Sequence, residues 1–104
     1  MSSMSDRERA FETKFAHDAE MQFRAEARRN KLLGLWAAEK LGRSGEEAQA
    51  YAAEVIKADM QEAGEEDVYR KVSGDLGDKA SEAEIRERMA ALLVEAKAQL
   101  VSEA

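Results

Sequence analysis

Apolar residues recur at helical spacing in four stretches, separated by short polar links. The first and longest runs from Asp6 to Gly42, DRERAFETKFAHDAEMQFRAEARRNKLLGLWAAEKLG. It contains no Pro, its one internal glycine is Gly34, and it is long enough for about ten helical turns. Its two halves differ. Up to Phe23 it is polar with isolated aromatics, whereas Ala25 to Leu41 carries Leu32, Leu33, Leu35, Trp36 and Leu41 on an alanine-rich background. The second half reads as bundle core. The first can form a helix but carries little apolar surface to hold itself down. Ser5 followed by Glu8 has capping-box spacing, and Gly42 suits a left-handed helix stop.

Three further helices follow. Ser44-Gly45-Glu46-Glu47 opens a second helix reaching about Glu62, with Ala48, Ala52, Val55, Ile56 and Met60 inward, Tyr51 beside them, and Gly64 closing it. Glu65, Glu66 and Asp67 suit the positive end of a third helix, on which Val68, Val72 and Leu76 recur every four residues. Gly74 and Gly77 weaken its end. Ser81-Glu82-Ala83-Glu84 caps a fourth, whose stripe is Ile85, Met89, Leu92, Leu93, Ala96 and Leu100. The expected fold is all-α, a four-helix bundle over residues 20–104, preceded by a flexible, conditionally helical segment, residues 1–19.

Composition narrows the functional classes. The 104-residue chain carries a formal charge of −6, which argues against nonspecific binding to nucleic acid or anionic lipid. It has no cysteine, hence no disulfide framework, thiol nucleophile or thiolate metal site. No apolar run is long enough to span a bilayer, and MSSMSDRERAF lacks the apolar core of a signal peptide. The reading is a soluble protein with no direct membrane insertion.

No catalytic constellation emerges, and the chain reads as a non-enzyme. His17 beside Asp18 and Glu20 lacks a second imidazole or thiolate for a metal, and an ordinary exposed histidine is its simpler reading. Gly74-Asp75-Leu76-Gly77-Asp78-Lys79 lacks phosphate-loop spacing. Two features remain. Phe11 and Phe15 share a helical face among Arg7, Glu8, Arg9, Glu12 and Lys14, and serve either as core or as anchors in a partner's groove. Arg24, Arg28, Arg29 and Lys31 form the most basic patch, either a solvated face balanced by Glu20 and Glu26 or a phosphate or acidic-partner site. In the second reading, adenine nucleotide binds through Arg28, Arg29 or Lys31 and stacks on Trp36 or Tyr51, although Trp36 also reads as plain core. No cofactor is required.

The segments AFETKFAHD and RRNKLLGLWAAEKLG, with YAAEVIKAD and EDVYRKV, closely resemble the zeta subunit family of alphaproteobacterial F-type ATP synthases. Two departures are Met4, where members often carry Phe, and Ala63-Gly64, where many carry Pro. The resemblance implies a four-helix bundle, monomeric when free, that inhibits ATP hydrolysis by F1. Its N-terminal segment would enter a catalytic interface between alpha and beta subunits near the gamma stalk. Phe11 and Phe15 would anchor it, with Met4 secondary. Arg7, Arg9 and Lys14 would pair with carboxylates, and Glu8 and Glu12 with arginines. The protein would then be cytoplasmic, held at the inner membrane through the synthase.

Overall fold

Ala25, Arg29, Leu33 and Ala37 follow one another at intervals of four, and all four are buried. They form the inner face of the helix about which the others are arranged. The computed structural model describes residues 19–59 and 65–103. Over these the chain forms α1 (Ala19–Lys40), α2 (Gly45–Asp59), α3 (Glu66–Leu76), a 3₁₀ turn (Gly77–Lys79) and α4 (Glu82–Glu103). The expected all-α four-helix bundle is what is observed. Helix α1 packs against all three others, most extensively against α2 and then α4.

The helix ends follow local chemistry. Gly42 takes φ +76°, the Arg43 N–H donates to the Ala38 carbonyl at 2.8 Å, and the Gly42 N–H donates to Glu39 at 3.0 Å. This Schellman pair satisfies carbonyls that the end of α1 would leave open. The Ser81 hydroxyl accepts from the Glu84 N–H at 3.1 Å, the capping expected there. Gly77, at φ +54°, ends α3 and turns the chain towards α4. Met60, Glu62 and Gly64, the expected end of the second helix, lie outside the described residues.

The core is assembled from Leu33, Ala37, Ala38, Tyr51, Val55, Val68, Val72, Leu76, Ile85, Met89 and Leu92, with Leu32, Trp36 and Leu41 packed against its edge. The spacing-of-four set on α3 is wholly inside, as its pattern requires. Several ion pairs lace the helices together: Lys40 with Glu84 at 3.2 Å, Lys71 with Glu54 at 3.1 Å, and a two-pronged Arg86–Glu66 contact at 2.9 and 3.2 Å. The Arg86 guanidinium also lies 3.7 Å from the centroid of the Tyr69 ring.

Gly34 explains why α1 and α2 meet so closely. A methyl group at this position would stand 2.6 Å from the Ala52 Cα and 3.0 Å from its Cβ, so two backbones would have to separate. Gly74, by contrast, has nothing within 4 Å of a built Cβ and no positive φ. Gly34→Ala is therefore expected to destabilise the bundle, since overpacking costs about 1–3 kcal/mol. Gly74→Ala should stabilise α3 by about 0.5–1 kcal/mol through helix propensity. Urea unfolding followed by circular dichroism distinguishes the two: the first lowers the midpoint and the second raises it.

Candidate functional site

The expected anchor set, Met4, Arg7, Glu8, Arg9, Phe11, Glu12, Lys14 and Phe15, lies outside the described residues, as does His17. The described chain takes up at Ala19, where the Arg24–Glu20 pair at 2.8 Å spans the first turn of α1.

The basic patch that follows is divided by the fold. Arg28 is partly exposed; it donates to Gln99 Oε1 at 2.9 Å and grips both Glu103 oxygens at 2.6 and 2.9 Å. Hydrogen bonding from Arg28 holds the Glu103 carboxyl below its ordinary range. Arg29, one residue on, is 1% exposed. Its Nε donates to Asn30 Oδ1 at 2.7 Å and its Nη1 to Glu65 Oε2 at 3.1 Å. Asn30 is fully buried and its Nδ2 has no hydrogen-bond partner among the described residues. Lys31 is exposed. The reading of Arg24 to Lys31 as a single surface patch is thus corrected. Arg29 occupies the buried stripe of α1, where its charge meets the start of α3. The signal was its spacing of four from both Ala25 and Leu33.

The two aromatics considered with these cations stand elsewhere. Trp36 is half-buried, with Lys40 Nζ 5.2 Å and the Arg88 guanidinium 5.5 Å from its ring. It lies eight residues beyond Arg28, about 12 Å along the helix. Tyr51 is buried, flanked by Arg43 at 5.3 Å and Lys71 at 5.1 Å. Its hydroxyl donates to Asp75 Oδ2 at 2.9 Å, and Lys71 donates to the same oxygen at 2.8 Å. Burial, aided by the Asp75 hydrogen bond, pushes the phenol up. Burial alone would also raise the Asp75 carboxyl, but the Lys71 and Tyr51 hydrogen bonds outweigh it and leave it below its usual value.

A residue outside the expected set draws attention instead. Phe23 is 64% exposed, the end of a series at intervals of four that runs Phe11, Phe15, Ala19, Phe23. With Ala27, Ile56 and Leu100 it lines a shallow groove of about 400 Å³, bordered by Arg24, Arg28, Lys31 and Glu103. Among the described residues no group of three or more His, Cys, Asp or Glu is arranged to hold a metal ion. Nor is any described helix long and apolar enough to cross a membrane.

Comparison with known proteins places this arrangement. The family model described as ATPase inhibitor subunit zeta matches residues 1–99. A protein solved by solution NMR is 65% identical, with a TM-score of 0.75, over 81% of this chain and 99% of its own. No curated protein matches.

The Tyr51–Asp75–Lys71 cluster gives a pH signature. A carboxyl whose folded value is depressed stabilises the fold above its unfolded value, and that contribution fades as pH falls through the folded one. Asp75→Asn is expected to destabilise at neutral pH. Its deficit should close as the medium is acidified below about pH 4, the ordinary aspartate range. Urea midpoints of the two chains at stepped pH measure this.

Proposed function

The chain belongs to the ATPase inhibitor subunit zeta family, and from that membership we propose that it inhibits ATP hydrolysis by F1 by inserting its N-terminal segment at a catalytic alpha/beta interface beside the gamma stalk. The observation that carries the reading is where the family match begins. It starts at residue 1, so the segment ahead of the bundle is part of the inhibitor pattern as much as the helices are. The interval-of-four series through Phe11, Phe15, Ala19 and Phe23 supports it: on a continuous helix these positions form one stripe leading out of α1.

In this mechanism Phe11 and Phe15 fill apolar pockets in the cleft and Met4 adds a third contact. Arg7, Arg9 and Lys14 pair with carboxylates, Glu8 and Glu12 with arginines. Completing the helix costs ordering free energy, which the aromatic contacts offset. The cleft must open and close for turnover, so a helix lodged in it stops rotation without chemistry of its own. The bundle remains outside as a stop and handle. The alpha, beta and gamma subunits are the partners, and the protein sits at the cytoplasmic face of the inner membrane through the synthase.

Deleting residues 1–19 is expected to leave a folded, cooperatively unfolding bundle that no longer inhibits ATP hydrolysis by the cognate F1. Inhibition retained by the truncated chain would refute the assignment. In the full chain, Phe15→Ala should weaken inhibition roughly 30-fold, the scale of a buried aromatic hot spot of about 2 kcal/mol, read from the concentration giving half-inhibition.

A further inference from the structure

We infer that the start of α1 and the end of α4 form one coupled unit, closed by Arg28 on Gln99 and Glu103, which keeps the first turns of α1 helical and so gives the inserting segment a formed helix to extend. The link to insertion rests on the function proposed above; the coupling itself does not.

Both helix ends run past the core. The first buried residue of α1 is Ala25 and the last of α4 is Ala96. Beyond them, apolar surface meets in the shallow groove of Phe23, Ala27, Ile56 and Leu100. Helix ends with so little burial are the first to open. Arg28 crosses between them. It donates to Gln99 Oε1 at 2.9 Å and to the two oxygens of Glu103 at 2.6 and 2.9 Å, joining positions 71 and 75 residues apart. Gln99 is held in turn by donating to Glu95 Oε1 at 3.3 Å.

Glu103 is out of place for α4 alone. It stands in the last turn, where the helix dipole disfavours a carboxylate, and that turn carries no basic residue. Arg28 supplies the cation from α1. The two-pronged geometry orders both partners, the arrangement in which an exposed ion pair contributes most. Arg24 does not serve this purpose, since its partner Glu20 is on its own helix.

A helix is costly to nucleate and cheap to extend. With the start of α1 already formed, the segment ahead of Ala19 adds turns to an existing helix on insertion and needs no new nucleus. A carboxylate at the opposite end of the sequence thereby tunes how readily that segment orders.

Glu103→Lys separates this coupling from a role confined to α4. Lysine suits the dipole at the end of α4 but repels Arg28. Glu103 is exposed, so the fold is kept. In the full chain, amide hydrogen exchange from Phe23 to Ala27 is expected to quicken roughly fivefold, the upper scale of an exposed pair, while amides from Leu33 to Ala38 keep their rates. Adding Arg28→Glu exchanges the charges and should restore the protection. The concentration giving half-inhibition of the cognate F1 should rise in Glu103→Lys and return in the double variant. Unchanged exchange from Phe23 to Ala27, or faster exchange that the double variant leaves in place, would overturn the coupling. That measurement needs no F1, so its failure leaves the inhibitory reading standing. Faster exchange with unaltered half-inhibition would overturn the link to insertion, whereas deletion of residues 1–19 tests the inhibitory reading itself.

Discussion

The near-contact of α1 and α2 at Gly34 and Ala52 is the constraint on which the rest of the bundle depends. A Cβ on Gly34 would meet the Ala52 backbone, so these two helices can be this close only with glycine there. Gly34 permits this on the side facing α2. With α2 drawn in, Tyr51 and Val55 are buried, and the Tyr51 hydroxyl reaches Asp75 on α3. Helix α4 closes against α1 and is tied to α3 through Arg86 and Glu66. The small side chains and the single helix-internal glycine of α1 thus express one requirement.

Much of this is legible wherever periodicity and capping chemistry decide the outcome alone. Gly42 and Ser81 do what their positions imply, because a left-handed stop and a hydroxyl cap depend on neighbours a few residues away. Val68, Val72 and Leu76 point inward because nothing competes with them. Arg29 shows where such reading fails. Classed by charge, it joined Arg28 and Lys31 on the surface; classed by spacing, it belongs with Ala25 and Leu33 inside. Its burial is tolerable only because Glu65 and Asn30 are placed to receive its N–H groups, and Glu65 lies 36 residues away. Trp36 and Tyr51 stand beside different cations, Lys40 and Arg88 for the first and Arg43 and Lys71 for the second. The placement of the expected N-terminal anchors lies outside the described residues.

The division of labour follows from where apolar surface is available. The bundle encloses one apolar face of each helix and leaves Phe23, Val94 and Val101 open to solvent, Phe23 near the start of α1.

The position of Trp36 has a practical side. It is the sole tryptophan, wedged between Lys40 on its own helix and Arg88 on α4. Thirteen residues separate it from Phe23, roughly 20 Å along α1. Its emission is therefore a gauge of the α1–α4 seam, nearly deaf to whatever occupies the far end of the helix. A spectroscopist watching indole fluorescence would see the seam loosen on denaturation and little of what happens around Phe23.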